Sequence, residues 1–360
     1  MINIIAPINP LGYGVAGWNI TKGLSKITDV ALWPIGQIQL TSQEEADIIN
    51  PLLQNSIMFD ATAPCLKIWH QHDMAQFVGK GERIGFPIFE LDEFNDVEKH
   101  NLNSLDRIFV CSNWAKTVVL DNLNIPSSKV NVVPLGVNSD LFKPSESKSK
   151  KTIFFNCGKW EIRKGHDILV DIFNKAFTEE DDVELWMMTT NPFLSPEEDE
   201  QWKKLYLSSK LGDKIKFIDR VATHEEVYNI MCRTDCGIFP SRAEGWNLEL
   251  LEMLSCGKRV ITTNSTAHTE FCNDNNAYLV ETPQREIAYD GKWFHGKCGS
   301  WAKISNEELD LFVDYMRNIH KLKQEDKLTI NQDGIDTANR FSWDSSSLKI
   351  KEILYDKQRK

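Results

Sequence analysis

Residues 239–263 read FPSRAEGWNLELLEMLSCGKRVITT, and this stretch decides the fold class. An apolar strand predicted at Cys236–Phe239 runs into a polar loop, and a helix is predicted behind the N-cap residue Asn247. Gly257 ends that helix, and a second strand is predicted over residues 259–262. A strand, loop, helix and strand in this order form the repeating unit of a parallel sheet covered by helices. The segment therefore predicts an α/β protein.

The same alternation extends along most of the chain. A length of 360 residues exceeds what one hydrophobic core usually spans, and the polar, repetitive segment 142–151 is typical of a domain linker. We therefore expect two Rossmann-like domains, over residues 1–144 and 151–338, followed by an amphipathic helix within 341–355 that has no strand after it. The other predicted strands cover residues 2–6, 65–69, 107–111, 129–134, 152–156, 184–189 and 215–218.

Composition limits the class of protein. The formal net charge of -11 disfavours non-specific binding to nucleic acid, which requires clustered Lys and Arg. The sequence contains no apolar run long enough for a membrane span and no signal peptide, so we expect a cytoplasmic protein. Cys232 and Cys236 lack a second pair that would complete a zinc site, and we interpret them as structural thiols.

Two segments of the first half could contact a ligand. Gly12, Gly14 and Gly17 are predicted to lie in a turn between the first strand and a helix, where backbone amides can approach an anionic group. A tight turn that only closes the helix onto the strand is the alternative. His70 and His72 follow a predicted strand, at the sheet edge where α/β proteins bind ligands. One of them is expected to face the ligand, although a polar loop histidine satisfied by backbone atoms remains an alternative.

A basic turn opens the second half. Lys159, Arg163 and Lys164 lie in a strand-to-helix turn between Gly158 and Gly165. Three cations beside a helix start are suited to a diphosphate, because Coulomb attraction adds to directed N–H donors. A solvated basic turn is the alternative.

Two glutamates follow in the segment quoted first. Glu244 is expected in the loop at the carboxyl edge of the sheet, and Glu252 on the helix after it. Each carboxylate can accept hydrogen bonds from two vicinal hydroxyls of a sugar or ribose, and the amides of Trp246, Asn247 and Leu248 would face a diphosphate between them. For Glu252 the alternative is an exposed helix glutamate paired with a nearby cation.

In these motifs the chain resembles the retaining family 4 glycosyltransferases of the two-Rossmann (GT-B) fold. The resemblance is carried by the E-x7-E pattern from Glu244 to Glu252, by the basic turn GKWEIRKG at 158–165 and by FSW at 341–343. It implies two domains facing across a cleft, the first binding the acceptor and the second the nucleotide sugar. It also implies that the last helix, within 339–360, crosses back onto the first domain.

The resemblance also implies roles for individual residues. Lys159 and Lys164 would hold the donor diphosphate, with Arg163, Gly14 and the Trp246–Leu248 amides contributing. Glu244 would contact the donor sugar, and His70 or His72 would stand at the transfer site. The remaining implied contacts, to the ribose and base, are Glu252, Arg220 and Val221.

The implied reaction retains the anomeric configuration and needs orientation and charge stabilisation more than a protein nucleophile. No Asp-x-Asp occurs in the sequence, so we expect no metal and no cofactor beyond the nucleotide-sugar substrate. A glycan, a lipid-linked glycan or another hydroxyl compound is the expected acceptor. A DNA-base-modifying glycosyltransferase, a non-catalytic nucleotide- or sugar-binding protein and a nicotinamide-dependent dehydrogenase are the alternatives. Residues 282–301 receive no role.

Overall fold

A computed structural model describes residues 1–355, which form two compact units. The first unit comprises residues 1–136 together with the chain from Arg340 onward, and the second comprises Val137–Asn339. Of the expected last segment, 339–360, residues 356–360 lie outside the described part.

The first unit is built on a six-stranded parallel sheet in the order β2-β1-β3-β4-β5-β6. Crossover segments connect the strands, as parallel pairing requires, and all but the one between β3 and β4 contain an α-helix. The elements, in chain order, are β1 (Ile2–Ala6), α1 (Gly12–Ser25), β2 (Val30–Pro34), α2 (Gln43–Asn55), β3 (Cys65–Ile68), β4 (Arg83–Phe86), α3 (Asp96–Asn103), β5 (Arg107–Val110), α4 (Asn113–Asn122) and β6 (Val130–Val132).

The second unit repeats the plan with a six-stranded parallel sheet in the order β12-β11-β10-β7-β8-β9. A two-stranded antiparallel hairpin, β13–β14, stands apart from this sheet. The elements are β7 (Thr152–Gly158), α5 (His166–Ala176), β8 (Val183–Thr189), α6 (Pro196–Leu207), β9 (Ile215–Phe217), α7 (His224–Met231), β10 (Cys236–Phe239), α8 (Leu248–Ser255), β11 (Arg259–Asn264), β12 (Tyr278–Glu281), β13 (Arg285–Tyr289), β14 (His295–Ala302), α9 (Asn306–Gln324) and α10 (Gln332–Arg340).

The last helix, α11 (Trp343–Tyr355), belongs to the first unit and packs on α1. A Cβ added at Gly23 of α1 would lie 2.1 Å from Ser347 Oγ, so the glycine permits the close approach of the two helices. Ile350 is fully buried, and Tyr355 donates a hydrogen bond of 2.8 Å to the carbonyl of Met1. Met1 and Tyr355 therefore lie next to each other on this unit.

These two sheets confirm the predicted α/β class and its Rossmann-like units. The sequence analysis missed β2, β4 and β12, and it missed the hairpin, which occupies the stretch without an assigned role. Within residues 1–355 we find no helix whose length and apolar character would allow it to span a membrane. All eight cysteines are free thiols, and Cys232 is only half-buried whereas Cys236 is buried.

The prediction of a glycine turn before α1 was wrong. The helix starts at Gly12, so Gly14 and Gly17 lie inside its first turns. A Cβ at Gly14 would lie 2.2 Å from the carbonyl oxygen of Asn9, and one at Gly17 would lie 2.2 Å from that of Pro7. Both glycines therefore let the helix pack against the loop that precedes it, and neither lies in a turn.

Candidate active site

The candidate site lies at the carboxyl edge of the second sheet. Strands β7 and β10 are parallel neighbours in this sheet, so the loops that follow them, 159–165 and 240–247, emerge side by side. Ligands of open α/β sheets bind outside this edge. The register of the sheet thus brings together two segments that are about 80 residues apart in sequence.

The two loops are joined directly. The amide of Arg242 donates to the carbonyl of Arg163 at 2.7 Å, and the Arg242 guanidinium binds both carboxylate oxygens of Asp167 at 2.8 Å. Gly165 has φ +74°, and a Cβ there would lie 2.1 Å from the carbonyl oxygen of Pro240. Only glycine fits this left-handed position against the neighbouring loop, so the basic turn is held in one place.

Glu244 is the centre of the joined loops. Its Oε2 accepts from Arg163 Nη1 at 2.8 Å, and its Oε1 accepts from Lys164 Nζ at 2.9 Å and from Ser241 Oγ at 2.9 Å. The side chains of Glu244 and Arg163 are each 5% exposed, and that of Lys164 is 11% exposed. Although burial opposes ionisation, the Lys164 and Arg163 cations hold the pKa of the Glu244 carboxyl far below its usual range. The carboxylate is therefore charged in a nearly dry site.

A second carboxylate completes the charge network. Glu161 Oε2 accepts from Arg163 Nε at 3.0 Å and from Nη2 at 2.7 Å, while Glu161 Oε1 pairs with Lys159 Nζ at 2.9 Å. Lys159 is 40% exposed and lies over the ring of Phe193, 5.6 Å from its centroid. Arg163 and Lys164 are buried and paired, so the alternative of a solvated basic turn was wrong for these two cations. Lys159 alone extends towards solvent.

Glu252 lies on α8, and its side chain is 11% exposed. The Nδ1 atom of His224 lies 3.9 Å from Glu252 Oε1. Burial, with a smaller contribution from the charge of Glu249, raises the pKa of the Glu252 carboxyl well above its usual value. The alternative of an exposed helix glutamate paired with a cation was therefore wrong, and the position suits a carboxylate that awaits a hydrogen-bonding ligand.

The charges near the end of β7 act on the thiol of the half-buried Cys157. Glu249 and Glu252 raise the pKa of Cys157 further above the level set by burial, whereas Lys164 and Arg220 lower it. Arg220 is exposed and Val221 half-buried, in the loop between β9 and α7. The pKa of this thiol at the end of β7 therefore responds to the charges of Glu252, Lys164 and Arg220.

The start of α8 has an unusual backbone. Asn247 is left-handed at φ 82°, and its Oδ1 accepts from the amide of Leu250 at 3.2 Å, which confirms the predicted N-cap. Trp246 is buried and Leu248 half-buried. The first amides of a helix have no acceptor within the helix and can bind an anion, provided that a ligand reaches them.

Two buried histidines that the sequence analysis missed support the site. His268 Nε2 contacts Asn247 Nδ2 at 3.0 Å, and its Nδ1 lies 3.0 Å from the carbonyl of Thr263. His166 Nε2 lies 2.9 Å from Asn156 Oδ1, and burial lowers the pKa of His166 to about 3. Both are neutral positioning residues. A signal was available for His166, which follows the basic turn directly, but none for His268.

The other predicted residues lie in the first unit. His70 and His72 stack on each other with ring centroids 5.2 Å apart, and His70 also contacts Tyr13 at 4.4 Å. Both histidines lie after β3 at the carboxyl edge of the first sheet, His70 half-buried and His72 exposed. Gly14 lies on α1, two residues after the first residue of the helix. These three residues are separate, in sequence and in unit, from the Glu244 network.

The described residues include no group of three or more His, Cys, Asp or Glu side chains placed to hold a metal ion. Cationic side chains, by contrast, lie at the centre of the candidate site.

Comparison with known proteins finds a family match over part of the chain. Residues 150–289, which carry the basic turn and both glutamates, match the family described as Glycosyl transferases group 1. The chain is 22% identical over 247 residues to the phosphatidylinositol N-acetylglucosaminyltransferase GPI3 subunit of Saccharomyces cerevisiae, covering 61% of this chain and 53% of that protein. It therefore spans about half the length of this curated relative.

Solved structures share the fold over nearly the whole chain. Sucrose-phosphate synthase from Thermosynechococcus elongatus superposes with a TM-score of 0.71 at 14% identity, covering 99% of this chain and 98% of the other. Anabaena Alr3699/HepE in complex with UDP-glucose gives a TM-score of 0.69 at 14% identity, covering 99% of both chains. Residues 150–289 are therefore similar to the group 1 glycosyl transferases, and the chain shares its two-sheet GT-B fold with these solved structures.

Proposed function

We propose that the protein transfers a sugar from a nucleoside-diphosphate sugar to an acceptor hydroxyl, with retention of configuration and without a metal ion. The observation that carries the proposal is the buried Glu244, paired with Lys164 and Arg163 where β7 and β10 end. This charge arrangement lies within the region matched by the family. It presents hydrogen-bonding groups for both a sugar and a phosphate.

The donor diphosphate is proposed to bind Lys159 and Lys164. An ammonium group has three N–H donors, and Glu244 takes one from Lys164 while Glu161 takes one from Lys159. Donors therefore remain for phosphate oxygens. Arg163 directs its guanidinium to Glu161, Glu244 and the carbonyl of Ala243, so we assign it a positioning role rather than a direct contact. This refines the role expected from the sequence.

The sugar and the nucleoside are proposed to bind the two glutamates. A carboxylate has about four acceptor sites, of which Glu244 uses three for Arg163, Lys164 and Ser241. A donor-sugar hydroxyl can take the remaining one. Glu252 is nearly buried, and vicinal ribose hydroxyls would give its carboxylate the hydrogen bonds that stabilise a buried charge. Arg220 and Val221 are proposed beside the base.

The proposed catalysis is electrostatic. As the bond between sugar and phosphate breaks, negative charge grows on the departing diphosphate, and the Lys159 and Lys164 cations stabilise it in a site with little water. The leaving phosphate accepts the proton of the attacking hydroxyl. We propose His70 or His72 at the transfer site and a glycan or lipid-linked glycan as acceptor. UDP-glucose in Anabaena Alr3699/HepE supports a sugar nucleotide as the donor.

A thermal-shift titration tests donor binding. Uridine-, guanosine- and adenosine-diphosphate sugars are added in the presence of EDTA, and at least one should raise the melting temperature in proportion to the logarithm of its concentration. Lys164→Met should remove the shift, whereas Lys203→Met, on the surface of α6, should keep it. If no sugar nucleotide shifts the wild type, the proposal is wrong.

A further inference from the structure

Two exposed aromatic rings lie beside the basic turn. Phe193 is 54% exposed and Trp293, at the tip of the β13–β14 hairpin, is 44% exposed. Their ring centroids are 5.8 Å apart, and the planes of the two rings are nearly perpendicular. Exposed apolar groups that adjoin one another on a folded protein commonly mark a binding surface. Because Lys159 Nζ lies over the Phe193 ring, 5.6 Å from its centroid, the rings adjoin the proposed diphosphate site.

The rings are held in place on both sides. The amide of Phe193 donates to Asn191 Oδ1 at 3.1 Å, and Asn191 Nδ2 donates to the carbonyl of Trp160 at 3.0 Å. Asp290 Oδ1 accepts from the amides of residues 292, 293 and 294, which fixes the hairpin tip. Lys292 Nζ binds both carboxylate oxygens of Glu198 on α6 at 2.6 Å. The surface is therefore preorganised, which lowers the entropic cost of binding.

The charges around the rings decide between two kinds of ligand. The start of α6 carries the consecutive acidic residues Glu197, Glu198, Asp199 and Glu200, and Glu198 reaches Lys292 beneath Trp293. Such a cluster would be repelled by an anionic membrane surface. A sugar ring, by contrast, offers an apolar C–H face to an aromatic ring and hydroxyl donors to carboxylates at its edge. The combination of rings and carboxylates thus fits a neutral saccharide.

We propose that Phe193, Trp293 and the carboxylates at the start of α6 form a docking platform for a neutral saccharide chain of the acceptor. That the saccharide is the acceptor rests on the proposed function. That a saccharide binds here rests on the positions of the two rings and the nearby carboxylates. The platform lies next to Lys159, so a saccharide bound to it would lie close to the proposed diphosphate site. This gives the hairpin, whose strands are not part of the parallel sheet, a role in ligand recognition.

Binding without any donor tests the platform. Trisaccharides of glucose, N-acetylglucosamine and mannose are titrated into the whole protein and followed by saturation-transfer NMR and calorimetry. At least one should bind, and Phe193→Ala combined with Trp293→Ala should weaken that binding by about tenfold or more. The matched control is Leu205→Ala combined with Leu207→Ala, two exposed apolar residues of α6, which should leave the affinity unchanged.

The outcomes separate this proposal from the proposed function. Binding of a trisaccharide with no binding of any sugar nucleotide keeps the platform and removes the transferase. Failure of all three trisaccharides to bind, or equal affinities in the wild type and the aromatic double variant, overturns the platform. Binding of phosphatidylcholine–phosphatidylserine vesicles that depends on the two rings would also overturn it. Thermal unfolding of each variant checks that it is folded.

Discussion

At the scale of single residues, Glu244 and Glu252 are two carboxylates with opposite environments. Glu244 faces Lys164 and Arg163, and its pKa is held low, whereas burial raises the pKa of Glu252. Glu244 is charged and stays paired with these two cations in the folded protein. Ionisation of Glu252 costs free energy until a ligand supplies hydrogen bonds to its carboxylate, which is the behaviour expected of a binding residue.

Glu244→Gln should be strongly destabilising. The amide would leave the buried Lys164 and Arg163 cations without their counter-charge, and breaking a buried pair from one side costs about 3 kcal/mol. Urea unfolding should show this loss. Glu249→Gln, which changes a half-buried glutamate at the start of α8, should change the free energy of unfolding by less than about 0.5 kcal/mol. Equal effects of the two variants would contradict the assignment of Glu244 as the centre of the network.

Glu252→Gln should stabilise the protein in a manner that depends on pH. Because the pKa of Glu252 is raised above 4.5 by folding, the folded state binds a proton that the unfolded state releases, and stability is lost as the pH rises through that window. The amide removes this loss. The gain should therefore be larger at pH 8 than at pH 5, reaching about 1–2 kcal/mol in urea unfolding.

The same variant should weaken binding of the donor nucleotide, since an amide oxygen accepts hydrogen bonds less strongly than a carboxylate. Calorimetry with the sugar nucleotide that shifts the wild type measures this. A stability gain that does not vary with pH would show that Glu252 ionises freely in the folded protein, and its assignment would be wrong.

At the scale of elements, the sequence predicts those parts that local pattern controls. The strand–loop–helix–strand from β10 to β11 is correct to within two residues, because apolar runs, the Asn247 cap and Gly257 are local signals. Strand β4 was missed although it lies inside the sheet. It has only four residues, and one of them is Gly85, which packs against Leu105. Glycine is depleted in strands, so the local pattern of β4 is weak.

The same distinction applies to the site. The positions of Lys159, Arg163 and Lys164 in one turn follow from their spacing. The pairing of Arg163 and Lys164 with Glu244 does not, because it depends on the adjacency of β7 and β10, which sheet order alone determines. The burial of Glu252 likewise depends on how α8 packs. Sequence therefore predicts which residues lie at the sheet edge, but not their charge state.

The start of α1 provides a prediction at this scale. Gly14→Ala should cost about 1–3 kcal/mol, because its Cβ would lie 2.2 Å from the backbone oxygen of Asn9. Gly12→Ala should be neutral or stabilise by up to about 1 kcal/mol, since nothing lies within 4 Å of its Cβ and alanine favours the helix. Thermal unfolding compares the two. If Gly12→Ala were the more destabilising variant, Gly12 rather than Gly14 would be the glycine that the structure requires, and the assigned start of α1 would be wrong.

At the scale of the whole molecule, each unit has its own sheet and core, and the chain returns to the first unit through α11. Ile350→Ala on the buried face of this helix should cost about 2–4 kcal/mol, whereas Leu348→Ala, 50% exposed, should change the stability by less than about 0.5 kcal/mol. Hydrogen exchange should show that Ile350→Ala lowers the protection of α1 and β1. Loss of protection in β7 and β10 instead would show that α11 stabilises the second unit.

The central claim is retaining transfer from a sugar nucleotide, and the configuration of the product tests it most directly. The whole protein is incubated in EDTA with the α-linked sugar nucleotide that it binds and with an acceptor, and the new anomeric proton is followed by NMR. The account predicts an α-configured product, formed without added metal and lost in Lys164→Met. A β-configured product, or no consumption of any sugar nucleotide, would contradict it.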